Sequence, residues 1–475
     1  MAADEIPPEG VIIRAENGDV IRYDESGLVL RLSDKVIADI AARLELKPAA
    51  ASADTVAELP DLPEDVDLWA PRRQGDWLFF QANLPGADGP RGYRRHIDGG
   101  AILAETHLPL MGIFGIGGAR AGLGSPGPAR FRWHVLAPAD DIGAVGMGGE
   151  GEAQATAGLE PLRELTVEAL VADVLLARRR AECQALPLML ARAETDMAAT
   201  ARDLGSGAAL ANLDRAFGNL QLAAARLGTT ARVLAVVLDY TLEDLSGDAL
   251  AYRDGMILLM ENITRRLAQR GVARPVFLTA FDCGTREVTR GPALDGQWEL
   301  SWNHGDHRLV FAGPSYAFEI DDTGRLTDAG RAAKAELLAA ALLAEQAGAR
   351  WRCPTIQLAE RAGQDIRLIC QATDALVIDA DDPFGAGPAA GFALEGVQNG
   401  ATIQAVEIDP DDPKTVLLRL SARPEGEVFV TYAHAAAPGA GPYPANRGAL
   451  RGDFGAGPVR RWALPARLKL TDGTL

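Results

Sequence analysis

The chain has 475 residues, of which 48% are hydrophobic and 24% charged, so it holds enough apolar material for more than one core. Its 65 acidic and 47 basic residues give a net charge of −18. A chain this acidic repels polyanions, so nucleic acid is excluded as an expected partner and binding to an anionic membrane surface is disfavoured.

Four cysteines, Cys183, Cys283, Cys353 and Cys370, lie too far apart in the sequence for a C-x-x-C metal or redox pair. We interpret them as small buried apolar residues and expect no cofactor. The first residues, MAADEIPPEG, lack the apolar core of a signal peptide, and no segment is apolar for long enough to span a membrane. We therefore expect synthesis in the cytoplasm without a secretion signal.

Residues 1–65 are predicted to be an attachment region followed by a linker. Val11–Arg14 and Leu28–Arg31 alternate as strands do, and Ser33 is placed to cap a short helix. Because so short a helix is unstable alone, it requires a partner in this chain or in another copy. Residues 66–107 carry aromatic residues between turn-rich pieces and predict a small β-rich lead-in.

In residues 108–350, short apolar runs alternate with long helical patterns. This alternation predicts an α/β domain in which a doubly wound, five-stranded parallel sheet is covered on both faces, as in flavodoxin-like folds. The predicted strands are Leu110–Phe114, Leu186–Leu190, Val233–Leu238, Val276–Ala280 and Leu309–Ala312. The predicted helices are Pro161–Glu182, Ala208–Leu227, Asp248–Arg270 and Asp328–Ala347.

Residues 351–475 return to short strand-like runs separated by Gly, Pro and Asp turns. This pattern predicts a small antiparallel β-sandwich. The predicted strands are Ile366–Cys370, Ala375–Asp379, Thr402–Ile408, Val416–Leu420 and Val428–Tyr432.

The glycine-rich stretch Gly112–Gly127 follows the first predicted parallel strand. It does not fit a phosphate cradle, because no G-K-[ST] follows and no G-x-G-x-x-G fits cleanly. Ser125 is its only serine, and Leu123 breaks the G-x-S-x-G pattern of a nucleophile loop. A serine between glycine and proline is typical of a turn.

Histidines and paired carboxylates near the predicted strand ends are the other candidates for chemistry. His304 and His307 could supply a base or hold a metal, but no partner ligand stands at a fixed spacing from them, and we expect no metal site. Glu243-Asp244 and Asp321-Asp322 each follow a strand, at the edge where doubly wound sheets bind ligands. Helix capping or solvation explains either pair equally well.

The order of these pieces resembles the SGNH (GDSL-type) hydrolases, especially the sialate O-acetylesterase-like branch. The first block of that family, G-Q-S-N-A-x-G, is similar to Gly115–Gly122, with Gly117 at the serine position. A block like G-E-S-D is similar to Thr241–Asp244, although its glycine is absent. The last block, D-G-x-H-L-T-x-x-G, is similar to Asp322–Gly330, with Arg325 at the histidine position.

The resemblance implies a hydrolase scaffold that has lost two of the three roles that acyl transfer needs. Gly117 offers no nucleophile, and Arg325 stays protonated at neutral pH, so it cannot act as a base. We therefore predict a non-catalytic SGNH-like module that binds carbohydrate. The predicted binding cleft consists of Gly117, Arg120, Asp244, Trp302, His304, Asp322 and Arg325.

The layout of β-rich modules around a central domain is similar to that of receptor-binding spikes or fibres of tailed phages and of phage-like gene transfer agents. It implies adhesion to capsular or surface polysaccharide of a bacterial host, contact of the N-terminal region with other particle proteins, and a homo-oligomer. Two alternatives remain. One is an active carbohydrate O-acetylesterase whose displaced triad uses Ser125 with His304 or His307, and the other is a purely structural virion adaptor.

Overall fold

The computed structural model describes the backbone of residues 10–15, 18–24, 27–30 and 68–472, apart from 88, 150, 306, 436 and 456–458. Side chains are described from residue 68 onwards, apart from those of 302 and 303. The chain divides into two compact units, residues 1–59 and 60–475.

Three strands of the first unit form an antiparallel sheet: β1 (Gly10–Ala15), β2 (Gly18–Asp24) and β3 (Gly27–Leu30). The strands β1 and β3 correspond to the two that the sequence predicts here, whereas β2 is an addition. The helix predicted after Ser33 and the linker lie outside the described residues.

The second unit begins with a four-stranded antiparallel sheet, as the β-rich sequence of this region predicts. Its strands, paired in chain order, are β4 (Leu68–Gln74), β5 (Trp77–Ala82), β6 (Arg91–His96) and β7 (Leu103–Ala104). Side chains alternate along β5, so that Leu78, Phe80 and Ala82 are buried. Gly75 joins β4 to β5 at a φ of +60°, a conformation that glycine adopts without strain.

An eight-stranded sheet forms the centre of the second unit. Its strands are β8 (Leu110–Gly117), β10 (Val135–Pro138), β11 (Val145–Gly146), β12 (Leu159–Pro161), β14 (Met189–Thr195), β15 (Ala231–Asp239), β16 (Val276–Phe281) and β17 (Leu309–Pro314). The order across the sheet is β12-β10-β14-β8-β15-β16-β17, with β11 beside β14. Only β12 runs antiparallel to its neighbour. The two other strands of this part of the chain, β9 (Ser125–Pro126) and β13 (Glu164–Leu165), pair with each other as a separate two-stranded sheet.

A mixed α/β fold with a parallel sheet is thereby confirmed, and all five predicted parallel strands are neighbours in it. The second of them begins at Met189 rather than at Leu186. The predicted number of five strands is too small, because β10, β11 and β12 extend the sheet. These strands are short, and Pro138 and Pro161 end β10 and β12, so neither run is typical of a strand in a sequence.

Helices cover both faces of the sheet. They are α1 (Val167–Ala181), α2 (Ala201–Leu204), α3 (Ala208–Arg226), α4 (Ala249–Gln269), α5 (Pro292–Asn303) and α6 (Asp328–Gln346). Successive side chains of β8 point to opposite faces, so that Ile113 packs with α1 and α6 and Phe114 packs with α3 and α4.

The four long predicted helices are present with small shifts at their ends, but the predicted start of the first one at Pro161 is wrong. Residues 159–165 supply β12 and β13 instead, and the Thr166 side chain caps α1 by accepting the Ala169 N–H. Helices α2 and α5 are not predicted by the sequence pattern.

Residues 355–472 form three further sheets. Their strands are β18 (Thr355–Ala362), β19 (Asp365–Gln371), β20 (Leu376–Ile378), β21 (Phe392–Glu395), β22 (Ile403–Ile408), β23 (Thr415–Leu420), β24 (Phe429–Tyr432), β25 (Leu450–Gly452), β26 (Ala466–Lys469) and β27 (Thr471–Asp472). The orders are β22-β23-β19-β18-β27, β21-β24-β26 and β20-β25, and all pairs are antiparallel except β18–β27. All five strands predicted here are present.

The C-terminal strands share an apolar core with the α3 and α4 face of the parallel sheet. At this junction the Tyr316 hydroxyl lies 3.1 Å from the Tyr432 hydroxyl and donates to the Ala463 carbonyl at 2.7 Å. Three of the four free cysteines are buried as predicted, but Cys183, just beyond α1, is exposed. None of the described helices is both long and apolar enough to cross a bilayer.

Candidate functional site

A small cavity of about 50 Å³ lies at the carboxyl ends of β8, β15 and β16, the edge where parallel sheets bind ligands. We call it the crevice and define it by its charged lining, which consists of Arg120, Asp239, Asp282, Arg325, Arg331 and Lys334. The sheet itself brings three of these together, since Arg120 follows β8, Asp239 ends β15 and Asp282 follows β16.

Gly117, at the serine position of the SGNH block, is the last residue of β8 and pairs with Asp239 of β15. A Cβ atom at position 117 would lie 2.1 Å from the Asp239 carbonyl oxygen and 2.7 Å from the Ala121 Cβ. That carbonyl is part of the backbone and accepts the Gly118 N–H at 3.2 Å. Position 117 therefore admits only glycine, and no hydroxyl can be presented from it unless the backbone moves.

The Arg120 guanidinium is bound by two carboxylates. It donates to both oxygens of Glu243, at 3.0 and 3.2 Å, and to Asp282 Oδ2 at 2.6 Å. Burial acts to lower the pKa of Arg120, but Asp282 and Glu243 outweigh it and hold that pKa well above its usual range. The other oxygen of Asp282 accepts the Gly284 N–H at 2.8 Å, so each oxygen of this carboxylate has a hydrogen-bond partner.

A second ion pair joins β15 to α6, where Lys334 Nζ lies 2.7 Å from Asp239 Oδ2. Burial acts to raise the pKa of Asp239, but Lys334 and Arg120 hold it below its ordinary value. Glu168 of α1 is also buried, against Gly115 of β8, and burial raises the pKa of its carboxyl to about 7. The charges around the crevice are therefore largely paired with one another.

Three of the seven predicted binding residues line or adjoin the crevice. Gly117 ends β8, and Arg120 and Arg325 line the crevice. Arg325 is exposed and belongs to a turn in which its N–H donates to Asp321 Oδ1 at 3.0 Å.

Two predicted carboxylates have structural roles instead. Asp244 accepts the N–H of Ala201, the first residue of α2, at 2.6 Å, and so assists Thr200, the N-cap residue of that helix. This is the helix-capping alternative that the sequence left open. Asp322 is almost fully exposed and pairs with Arg286 at 2.8 Å. Neither side chain is part of the crevice lining.

His304 and Trp302 lie at the opposite edge of the sheet, so their prediction as crevice residues is wrong. Trp302 stands in the last turn of α5 and His304 follows it. The His304 ring stacks on His307, whose ring is 5.8 Å from Phe277 near the start of β16. This is the amino end of the strands, and a strand of six residues separates it from the crevice by roughly 20 Å.

Ser125, the serine of the displaced-triad alternative, has no histidine beside it. Its hydroxyl donates to Asp328 Oδ1 at 2.5 Å and accepts from Arg331 at 2.9 Å. Asp328 opens α6 after β17, whereas His304 and His307 precede β17. In the part of the chain that the structure describes, no serine hydroxyl is hydrogen-bonded to a histidine ring.

A wider cavity of about 310 Å³ lies between α4, α5 and the C-terminal strands. We call it the groove and define it by Leu250, Asp295, Trp298, Glu299, His434 and Arg467. Helix α5 supplies Asp295, Trp298 and Glu299, because positions three and four apart share one helix face. Asp282 lines both cavities and stands between them.

The groove differs from the crevice in that two of its carboxylates are accessible to solvent: Asp295 is exposed and Glu299 is partly buried, whereas Asp282 is buried. The Asp295 side chain is 55% exposed and lies 3.6 Å from His434 Nε2, while His434 Nδ1 is buried and has no hydrogen-bond partner. Glu299 makes no hydrogen bond or ion pair with any described residue. Leu250 is half-exposed and supplies an apolar rim. The groove can therefore offer hydrogen-bond acceptors beside an apolar surface.

The groove could not be found from the sequence. Asp295 and Glu299 share a face only because α5 is a helix, and that helix is not predicted. His434 follows β24 and Arg467 lies in β26, both more than a hundred residues later in the chain than α5. Among the described residues, no group of three or more His, Cys, Asp and Glu side chains is arranged to hold a metal ion.

Comparison with known protein families finds no family model that matches the chain, and no curated protein matches it. Among solved structures, the crystal structure of a novel carbohydrate acetylesterase from Xanthomonas citri is similar. The two chains are 15% identical, the match covers 80% of this chain and 85% of that chain, and the TM-score is 0.49. A similarity at this level leaves the activity of the present chain to be judged from its own side chains.

Proposed function

We propose that this chain is a carbohydrate-binding protein in which the hydrolase-like crevice performs no acyl transfer. The observation that carries the proposal is the geometry at Gly117, where a Cβ atom would lie 2.1 Å from a backbone oxygen. Acyl transfer requires a nucleophile, a base that takes its proton and donors for the oxyanion. The position expected to present the nucleophile has no space for one.

The charges of the crevice support the same proposal. Arg120 is held by Glu243 and Asp282, and Lys334 by Asp239, so these groups stabilise each other rather than a reacting ester. The described lining of the crevice also contains no histidine that could act as a base, and Arg325 stands where the SGNH block has its histidine.

The groove is the site that we propose for the sugar. A cavity of about 310 Å³ falls within the range of small-molecule sites, whereas the crevice, at about 50 Å³, is too small for a sugar ring. Trp298 supplies an aromatic wall, and Asp295 and Glu299 supply carboxylates that accept hydrogen bonds from sugar hydroxyls.

We further propose that the chain acts as the spike or fibre of a phage-like particle and binds capsular or surface polysaccharide of a bacterial host. The support comes from the sequence layout, with a separate N-terminal unit for attachment to other particle proteins and β-rich modules around the α/β centre. Homo-oligomerisation is part of this proposal.

Two assays test the proposal together. Purified full-length chain is incubated with p-nitrophenyl acetate, and the same preparation is tested for binding to immobilised bacterial capsular polysaccharides. We expect hydrolysis no faster than in buffer and saturable binding to at least one polysaccharide. Turnover that Ser125→Ala abolishes would establish the displaced-triad esterase instead. A complete absence of polysaccharide binding would favour the structural adaptor.

A further inference from the structure

A third cavity lies outside both the crevice and the groove, where the β4–β7 sheet meets the segment before β10 and the end of α1. Its volume is about 70 Å³. The residues that matter for its chemistry are Arg91, Tyr93, Arg130, Phe131, His134 and Arg180. We call it the arginine pocket.

The arginine pocket concentrates positive charge in a chain whose net charge is −18. The guanidinium groups of Arg130 and Arg180 lie 5.6 and 5.2 Å from the centre of the Phe131 ring, which holds both of them beside the pocket. Arg91 also lines it and makes no ion pair with any described residue. No carboxylate belongs to the described lining. The carboxylate next to this site, Asp173, accepts the backbone N–H groups of Arg130 and Phe131 at 2.7 and 3.0 Å.

Tyr93 gives a second, independent sign of a ligand. It is 0% exposed and lines the pocket, yet its hydroxyl is buried with no hydrogen-bond partner. Other buried tyrosines are satisfied, since the Tyr252 hydroxyl donates to the Tyr240 carbonyl and the Tyr316 hydroxyl donates to the Ala463 carbonyl. A buried donor that lacks an acceptor is unfavourable, and an oxygen placed in the pocket would satisfy it.

We infer that the arginine pocket binds an oxyanion group — a carboxylate, sulfate or phosphate — through Arg91, Arg130 and the Tyr93 hydroxyl. Arginine forks match the geometry of such groups, and the phenol adds a neutral donor. The pocket volume suits one such group and not a whole sugar ring. His134, which is buried at the pocket and whose pKa is lowered to about 4 by burial and by Arg91, stays uncharged at neutral pH and so adds no further positive charge.

The inference does not depend on sugar binding in the groove, and calorimetry on the full-length chain tests it separately. Sodium sulfate, sodium phosphate, sodium acetate and sodium glucuronate are titrated into the protein, with sodium chloride at matched ionic strength as the reference. We expect saturable binding of at least one oxyanion at millimolar concentration or below. Glucuronate binding more tightly than acetate would identify the group as a substituent of an acidic sugar, and sulfate or phosphate binding alone would identify a free inorganic anion.

Two variants locate the binding. Tyr93→Phe removes only the hydroxyl, and Arg91→Gln removes one charge, so each is expected to weaken binding at least tenfold. Arg274→Gln, which removes an exposed arginine in the loop before β16, is the matched control and should bind as the parent does. Circular dichroism and the melting temperature report whether each variant is folded.

Absence of saturable binding, or binding that neither Tyr93→Phe nor Arg91→Gln weakens in folded protein, would overturn the inference. Asp88 follows Ala87 of the pocket lining in the sequence, so its carboxylate could compete with an added anion. The same titrations are therefore repeated with Asp88→Asn. Binding that occurs only in Asp88→Asn would mean that the Asp88 carboxylate itself occupies the arginine pocket, and this result would also overturn the inference.

Discussion

The crevice and the groove lie on either side of Asp282, yet their side chains are used in different ways. In the crevice, Arg120 and Lys334 are paired with carboxylates of neighbouring elements, and little space remains. In the groove, Asp295 and Glu299 project from one helix into a larger cavity. The charged side chains of the crevice thus stabilise one another, whereas Asp295 and Glu299 of the groove stay available for the proposed binding of a sugar.

The largest expected effect comes from breaking the buried pair of the crevice. Lys334→Met removes the ammonium group in direct contact with Asp239, and we expect the free energy of unfolding to fall by about 3 kcal/mol or more. Urea denaturation measures the change. The control is Lys469→Met, whose pair with Glu427 is exposed on both sides and should contribute much less to stability. Equal losses in the two variants would show that the crevice network is no more important than a surface pair.

Placing a serine at position 117, where the SGNH block that this stretch resembles has one, should destabilise the chain without creating an esterase. For Gly117→Ser we expect a loss of about 2–3 kcal/mol in the free energy of unfolding, because the new Cβ atom meets the Asp239 carbonyl. Gly291→Ser is the matched control, since a Cβ there meets nothing within 4 Å and the position is the N-cap of α5. A stable Gly117→Ser protein that hydrolyses p-nitrophenyl acetate would contradict our account of the crevice.

The buried Glu168 predicts a pH dependence with a definite sign. Its pKa rises from 4.5 to about 7 on folding, so between these values the unfolded chain is ionised while the folded chain keeps the proton. The unfolded state then binds fewer protons, and the free energy of unfolding falls as the pH rises through this window. The fall attributable to Glu168 should be about 2 kcal/mol between pH 5 and pH 8.

Glu168→Gln isolates this contribution. The difference in unfolding free energy between the variant and the parent should grow in favour of the variant as the pH rises, because the amide carries no charge to bury. Taking the difference cancels the contributions of other groups, including His134, whose pKa burial lowers. A difference that stays constant from pH 5 to pH 8 would be inconsistent with a buried Glu168 carboxyl.

Much of the fold was predictable because its signals are local. The five apolar runs from Leu110 to Ala312 and the long amphipathic helices are strong periodic patterns. The strands β10 to β12 were not predictable, since they are short and end in proline or lie in glycine-rich loops. They are stabilised by pairing, β10 and β11 with β14 and β12 with β10. Tertiary pairing of this kind leaves no trace in a short window of sequence.

The candidate site was less accessible to sequence reasoning than the fold. The sequence shows directly that position 117 is a glycine. It does not show that the backbone oxygen of Asp239, more than a hundred residues away, leaves no space for a side chain there. Asp244 could bind a ligand or cap a helix with equal plausibility in the sequence, and only the position of Ala201 decides for capping. The position of His304 was predicted at the wrong edge of the sheet, because the sequence did not predict helix α5, which carries the chain back to the amino ends of the strands before β17.

Binding of immobilised bacterial capsular polysaccharide by three folded proteins tests the central claim most directly: the parent chain, the double variant Asp295→Ala/Glu299→Ala, and Arg325→Ala. The double variant removes the open carboxylates of the groove, whereas Arg325→Ala removes an exposed cation of the crevice lining. We predict at least tenfold weaker binding by the double variant, equivalent to about 1.4 kcal/mol, and unchanged binding by Arg325→Ala. Loss of binding in Arg325→Ala with full retention in the double variant would contradict the account.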